Sequence, residues 1–244
     1  MAGSSHLPDR LVGANRDLQG WIGGTSPLDA ALVVPPCDLI APLLGDLVAY
    51  ANRTDVDPVT QAAVAHAQFE LIHPYADGNG RVGRILIGWI LTHRLDLMSP
   101  PPISVRVASD IGGYLSGLTL FRLGQPDPWV AWFAQAVAGA GEATSDLIRA
   151  AGELRTRWEA RLTGVRADAI AHRVLERLPA HPVLDAAILA RELGVSGRSA
   201  RGALSTLHEH GILERLTPTQ QPRGRPRGWW VATELLALVS AHTA

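Results

Sequence analysis

Lysine is absent from this chain of 244 residues: all 22 basic side chains are arginine, against 23 acidic ones. The resulting net charge of −1 excludes bulk attraction to nucleic acid or to an anionic membrane as the organising principle. Cysteine is nearly absent too. Cys37 alone can close no internal disulfide and build no thiolate metal site. Following Pro35 and Pro36, with no base nearby in sequence, it reads as a packed, idle thiol. No apolar run approaches the roughly 20 residues that span a bilayer. Met1 to His6 show neither a charged n-region nor an apolar h-region, so no secretion is signalled and a cytoplasmic protein is expected. The lysine-free, Ala-, Gly-, Arg- and Pro-rich composition fits a GC-rich bacterial genome and carries no functional weight.

What is present points to a globular protein. Hydrophobic residues make up 47% and charged residues 18%, which suits a sizeable core. The length suits one mid-sized domain and a smaller second one. After a Gly-, Pro- and Asp-rich start, Trp21 to Pro27 pairs aromatic and β-branched residues with Gly23-Gly24 and predicts a short hairpin. Helical spacing then dominates. Asp38–Asn52 lines up Leu39, Ile40, Leu43, Leu44, Leu47 and Val48, and Pro58–Leu71 lines up Val59, Ala62, Ala63, Ala67 and Leu71. Arg81–Leu95 predicts an apolar helix through Ile85, Leu86, Trp89 and Ile90, ended by the proline run at 100–102. Further helices are expected over Asp110–Arg122, Pro128–Ala140 and Glu142–Leu162. The last has an apolar stripe that could bridge two domains or join two copies of the chain.

The chemistry is concentrated between His73 and Arg84, which read His-Pro-Tyr-Ala-Asp-Gly-Asn-Gly-Arg-Val-Gly-Arg. Gly78, Asn79 and Gly80 make a turn whose amides can converge on an anion without Cβ obstruction. The helix that follows directs its positive end and free amides at the same place. Arg81 and Arg84, three residues apart, share one helical face and can reach one polyphosphate. Asp77 is placed to hold Mg2+ against phosphate oxygens. His73, with an ordinary imidazole pKa, suits a base that takes a proton from an attacking hydroxyl. His66 on the preceding helix reads as a satisfied core histidine, and Tyr114 as either an adenine contact or helix packing.

These residues resemble the signature of the Fic (Fido) family, His-Pro-Phe-x-Asp/Glu-Gly-Asn-Gly-Arg-x-x-Arg. The resemblance extends to Ala65–Ile72, to Trp21–Gly24 and to Asp127–Phe133, covering roughly residues 15 to 140. It implies a mainly α fold, a Fic-type helical core with a β-hairpin flap over residues 1–140; beyond it the residue pattern reads as a linker helix over 141–164 and a small α+β domain over 165–244. The resemblance implies a protein adenylyltransferase that moves AMP from ATP to a Ser, Thr or Tyr hydroxyl of a target protein, with Mg2+. In that reading His73 is the base, Asp77 binds Mg2+, and Gly78, Asn79 and Gly80 hold the α- and β-phosphates. Arg81 and Arg84 contact phosphate, Arg84 the γ-phosphate. Trp21, Ile22, Gly23, Gly24 and Thr25 form the flap that docks a target segment as an added strand. Tyr75 stands where the family carries Phe, which keeps an aromatic anchor but requires a partner or solvent for its hydroxyl. The family's inhibitory Ser/Thr-x-x-x-Glu-Gly/Asn motif is missing; Ser205–Glu209 has the spacing by accident. A constitutively competent enzyme, restraint by a separate antitoxin-like chain, and lost regulation are the three resulting expectations.

From about residue 166 the pattern changes to short helices, then a strand-like pair at Gly211–Leu216 and Gly228–Val231, which predicts a winged helix-turn-helix. Leu184–Leu193 and Arg198–His210 are its two helices. Ala203, Leu204 and Leu207 are expected inward, with Arg198, Arg201, Ser205 and His208 outward. Arg223, Arg225 and Arg227 would form a basic wing resembling a minor-groove hook. Ten arginines against seven acidic residues from 166 onward is a mild excess for a DNA binder, so DNA binding and docking to protein both stand. Two further alternatives remain open: a Fic-fold phosphotransferase with inverted nucleotide, and a nucleotide-sensing transcriptional regulator.

Overall fold

The computed structural model describes residues 8–166, 169–216 and 228–243 and places the chain in two compact units, Met1–Glu142 and Ala143–Ala244. In the first unit a two-stranded antiparallel hairpin pairs β1 (Trp21–Ile22) with β2 (Leu32–Val33). The helices α1 (Ile40–Ala51), α2 (Pro58–Ile72), α3 (Asn79–Leu95), α4 (Ile103–Ser109) and α5 (Ile111–Arg122) follow. Helix α6 (Pro126–Arg161) then runs through the boundary into the second unit. The two helices expected over 128–140 and 142–162 are thus one. Gly139 and Gly141 do not break it, and Gly139 leaves room for the Arg106 guanidinium, which would lie 3.2 Å from a Cβ there.

Helix α2 is the buried axis of this unit. Asp57 caps its N-terminus by accepting from the Thr60 amide at 2.8 Å, with Pro58 in the first turn where its missing N–H costs nothing. Ala62, Ala63, Ala65 and Ala67 are wholly buried, and α1 and α3 both pack on the helix. Small side chains allow that close approach on several faces at once. Trp129 of α6, also fully buried, donates from Nε1 to the Ala63 carbonyl at 2.8 Å. Buried Gln61 donates to the carbonyls of Tyr50, Ala51 and Arg53, satisfying the free end of α1.

Two expectations of facing are corrected. Leu39, just before α1, and Val48 within it are exposed, while Ile40, Leu47 and Ala51 form the buried stripe. In α3, Ile85 is 70% exposed and Trp89 48% exposed, and Gly83, Ile87, Ile90 and Leu91 face the core. The helix starts two residues earlier than predicted, at Asn79, and that start sets its rotation. The hairpin also differs: residues 23–31 separate its strands. Gly23 and Gly24 take positive φ (71° and 69°), and a Cβ on Gly24 would lie 2.5 Å from the Asp29 carbonyl oxygen. The Asp29 carboxylate accepts from the amides and hydroxyls of Thr25 and Ser26, closing this wider turn.

In the second unit α7 (Ile170–Leu175), β3 (Val183–Asp185), α8 (Ala186–Leu193), α9 (Gly197–Glu209), β4 (Glu214–Leu216), β5 (Trp229–Val231) and α10 (Thr233–Thr243) follow in order. The strands form one antiparallel sheet, β3-β5-β4, with Leu184 opposite Trp230 and Arg215 opposite the same residue. Asp185 caps α8 and Ser196 caps α9. Gly194 ends α8 in the left-handed region (φ 64°), so the chain turns directly into α9. Leu154 and Trp158 from the second half of α6, with Leu162 just after it, join Ala203, Leu204 and Leu207 in this core. Arg223, Arg225 and Arg227 lie outside the described residues.

Candidate active site

Helix α2 ends at His73, a non-glycine residue in the left-handed region (φ 47°, ψ 59°) whose amide donates back to the Phe69 carbonyl. Such a conformation persists only where surroundings enforce it. Arg16 supplies that enforcement. It is 5% exposed, and its guanidinium donates to the carbonyls of Ile72, His73, Leu18 and Pro35 and to the Cys37 Sγ. A cation placed on the last carbonyls of a helix is favourable by charge as well as by hydrogen bonding. The Arg16 amide donates to Pro74 and Asn15 bridges to Tyr75, so the N-terminal segment straps the loop that follows His73. Cys37 is therefore packed against Arg16.

The loop itself is held by Asn79, which is 2% exposed. Its Oδ1 accepts from the Tyr75 amide at 2.9 Å and its Nδ2 donates to the Tyr75 carbonyl at 2.7 Å. The Tyr75 ring lies 6.2 Å from Phe69, as an aromatic anchor should. Gly78, at φ 86°, turns the chain into α3 without a side-chain cap. The amides of Asn79 and Gly80, at the positive end of the helix, consequently find no acceptor among the described residues.

Two arginines reach this amide cluster. Arg84 folds back over Gly80, where an added Cβ would stand 3.2 Å from its Nη1. It makes no ion pair among the described residues. Arg81 is exposed and pairs with the exposed Asp77 at 3.2 Å. Asp77 is the one carboxylate of the loop, and no group of three His, Cys, Asp or Glu forms a metal cage among the described residues. Magnesium commonly uses one carboxylate together with phosphate oxygens, so the donor set here fits Mg2+ brought by a nucleotide.

The structure brings His73, Asp77, Gly78, Asn79, Gly80, Arg81 and Arg84 around one helix N-terminus. The His73 Nδ1 faces the Glu70 carbonyl at 3.3 Å, which favours Nδ1–H and leaves Nε2 as the basic nitrogen. Burial lowers the His73 pKa from 6.5, the Glu70 carbonyl opposes that, and Arg16 adds to it. A neutral imidazole at physiological pH follows. On the His73 side lies a cavity of about 330 Å³ between the hairpin (Ile22, Leu32), the end of α2 and the α5 residues Tyr114, Leu115 and Thr119. Arg122, also part of its lining, donates to the Ala31 carbonyl at 2.9 Å. On the opposite flank of α3 a wider groove of about 850 Å³ runs from Arg81 and Arg84 past Trp89 to Pro100–Pro102.

Beneath the site lies a polar cluster that spacing alone did not reveal. His66 is fully buried, and its Nε2 lies 3.0 Å from the Tyr114 hydroxyl. Its Nδ1 faces the Gly83 backbone, near enough to feel that dipole but outside hydrogen-bond geometry. Burial pushes His66 down to about 4. His66 is thus a core histidine, though only half satisfied, and Tyr114 both packs on it and lines the small cavity. Burial also pushes the Glu70 carboxyl up to about 7, against the pull of Arg84. The Ala-rich, all-round burial of α2 was the available signal, because any polar side chain on such a helix must be buried.

In the second unit Arg198, Arg201 and Ser205 are exposed on α9, as the sequence predicts. His208, also exposed, turns its Nδ1 to the Leu213 carbonyl at 2.8 Å and its ring edge to Trp230. No helix among the described residues is long and apolar enough to cross a membrane.

Residues 9–91 match the model of the Fic/DOC family. The chain is 29% identical over 149 residues to the protein adenylyltransferase fic-1 of Caenorhabditis elegans, covering 58% of this chain and 28% of that protein. It is 43% identical over 58 residues to the probable protein adenylyltransferase aq_aa38 of Aquifex aeolicus (strain VF5), covering 23% and 18%. The chain thus spans under a third of the length of the curated relatives it matches. Among solved structures it is similar to a Fic family protein from Desulfovibrio desulfuricans G20, with 25% identity, a TM-score of 0.49, and 90% of this chain and 62% of that chain covered.

Proposed function

From the Fic/DOC family domain carried by residues 9–91 we propose that the chain is a protein adenylyltransferase, transferring AMP from ATP to a hydroxyl of a target protein. The observation that carries this reading is the arrangement around the α3 N-terminus: free amides, Arg84 and Arg81 on one side, the His73 imidazole and a partly open cavity on the other. A cavity of about 330 Å³, with an apolar wall from Leu115 and Leu118 and polar edges from Tyr114 and Thr119, suits a nucleoside. With the nucleoside there, the α-phosphorus is the one nearest His73. An inverted nucleotide would put its nucleoside in the wider groove and its γ-phosphorus at the base, which is the phosphotransferase alternative.

The bond changes follow from that placement. The His73 Nε2 takes the proton of the target Ser, Thr or Tyr hydroxyl while its oxygen attacks the α-phosphorus. The bond from the α-phosphorus to the bridging oxygen breaks, and pyrophosphate leaves. Charge that builds on the phosphate oxygens is met by the Asn79 and Gly80 amides and by Arg81 and Arg84. Mg2+, when bound, neutralises phosphate charge, and Asp77 would hold it after releasing Arg81. The exposed edge of the hairpin, with Trp21 at the surface, can pair a target segment as an added strand and bring its hydroxyl to His73.

For the second unit we infer a winged helix-turn-helix, with α8 and α9 as the paired helices and β4–β5 as the base of the wing. Arg198 and Arg201, exposed on α9, are placed to contact DNA phosphates. If this unit binds DNA, affinity falls with salt and drops in the Arg198→Ala, Arg201→Ala double variant. A nucleotide-sensing regulator would keep that binding in His73→Ala and form no covalent product. Constitutive competence or lost regulation is expected to let the isolated chain modify itself strongly with ATP; a folded chain that binds ATP but stays silent would overturn both.

The experiment that tests the enzymatic reading incubates the chain with Mg2+ and ATP labelled at either the α- or the γ-phosphate in cell lysate. Protein label from the α-position supports AMP transfer. Label from the γ-position alone replaces it with phosphotransfer.

A further inference from the structure

Glu70 lies three residues before His73 on α2, beneath the site, and no step above uses it. Its side chain is 12% exposed and its Oε2 stands 3.9 Å from the His73 Nδ1. Oε1 is buried without a hydrogen-bond partner and points at the start of α3, where a Cβ on Gly83 would meet it at 2.5 Å and one on Gly80 at 4.0 Å. A buried carboxyl with an orphaned oxygen is costly and calls for a reason. Packing does not supply one, since glutamine would fill the same space and keep a neutral polar end.

Resting on the reading of His73 as base, we propose that Glu70 is a positioning residue for that base: its carboxylate stands behind the Nδ1 edge of the ring and stabilises the imidazolium that forms when Nε2 takes the hydroxyl proton. The geometry repeats the logic of a carboxylate behind a histidine base, in which the acid orients the ring and opposes its charge without taking the proton. The Glu70 backbone carbonyl fixes the tautomer at rest. The side chain of the same residue supplies the charge during the reaction. Glycine at 83 leaves room for that carboxyl and for the His66 ring, whose Cε1 and Nδ1 would also lie 2.9 Å from a Cβ there.

The groups facing Glu70 decide its state. His66 and His73 face it from its own helix, Arg84 from α3 and Tyr114 from α5, while Arg16 faces His73 from the N-terminal segment. Burial outweighs Arg84 and raises Glu70 to about 7, whereas His73 titrates below 6.5. As pH rises His73 loses its proton first and Glu70 follows. The active pair, neutral imidazole with carboxylate, therefore forms only above the second step, and the acid limb of the rate profile reports Glu70.

The test uses the full chain, Glu70→Gln and Glu70→Asp. The His73 ring resonances, assigned against His73→Ala, are followed by NMR through the titration range without ATP, and transfer from α-labelled ATP is then measured over the same range. In the wild type the His73 resonances should show a second inflection near 7, absent in Glu70→Gln. The acid limb should have its midpoint near 7 and move below 6.5 in Glu70→Gln, with a plateau about tenfold lower, the rate equivalent of losing about one pKa unit of base stabilisation. Glu70→Asp, which keeps a carboxyl, should restore the limb. An unchanged His73 titration and an unchanged limb in Glu70→Gln overturn the inference. If the wild type transfers no label, the transferase reading falls. The NMR comparison still decides: a lost inflection upholds the coupling, and identical curves overturn it.

Discussion

Glu70→Gln should stabilise the first unit increasingly as pH rises, and the size of the effect can be worked from the fold. Burial raises Glu70 from 4.5 to about 7, so between those values the folded chain holds a proton that the unfolded chain has lost. A group of raised pKa contributes stability that is fully present below the unfolded value and is lost as pH rises through the folded one. The gap corresponds to about 3 kcal/mol. His66 acts in the opposite sense. Its fall from 6.5 to about 4 makes the unfolded chain the one that binds more protons, so its contribution is present above 6.5 and lost as pH falls toward 4. In the wild type the two slopes nearly cancel. Removing Glu70 exposes the His66 slope, and the stability difference between Glu70→Gln and wild type should grow by about 3 kcal/mol from pH 4.5 to 7. Other carboxylates are common to both proteins and drop out. Urea unfolding of the full chain at several pH values, read at the transition of the first unit, measures the difference. A difference constant to within about 1 kcal/mol across that range would refute the argument, because it would mean that Glu70 ionises freely in the folded chain.

Other substitutions test the strap, the loop and the second core. Arg16→Met removes hydrogen bonds to four carbonyls and should cost about 3 kcal/mol, read as a lower thermal midpoint; a cost below about 1 kcal/mol contradicts its role in holding His73. Asn79→Ala frees both groups of Tyr75 and should cost about 2 kcal/mol, with transfer falling about 100-fold as the loop loses its geometry. Gly83→Ala gains about 1 kcal/mol of helix propensity but must displace a carboxylate oxygen 2.5 Å from the new Cβ, so calorimetry should find a net loss. Trp158→Phe deletes the Nε1 bond to Glu234 at 2.7 Å and should destabilise the second unit by about 1 kcal/mol, leaving ATP binding unaltered.

Parts of this molecule were legible in the sequence for a physical reason. From His73 to Arg84 the motif needs only local geometry, a turn and one helical turn, so residue types and spacing nearly determine where its groups go. The positions of α1, α2, α3 and α5 were legible by the same local logic, because caps such as Asp57 and Asp110 and the apolar spacing act within a few residues. What required the fold acts over distance. Arg16 works on carbonyls of residues 72 and 73, and backbone acceptors carry no sequence signal. The strand Leu32–Val33 was missed because its turn is closed by the Asp29 side chain and not by a two-residue signature. Periodicity identified α3 but not its rotation, which Gly78 and buried Asn79 set from the loop side; Ile85 and Trp89 were placed inward and lie outside. Glu70 carries no signal of its own in the sequence, and only the all-round burial of α2 places its carboxyl beneath the site.

The central claim is that His73 is the base for AMP transfer. Its most direct test compares His73→Ala with the wild type in Mg2+ and α-labelled ATP, while equilibrium binding of ATP is measured on both proteins. Wild-type label on a hydroxyl side chain is expected, with none in the variant and ATP affinity within about threefold in the two, since the phosphate cradle of Asn79, Gly80, Arg81 and Arg84 is untouched. Undiminished transfer by His73→Ala would contradict the account.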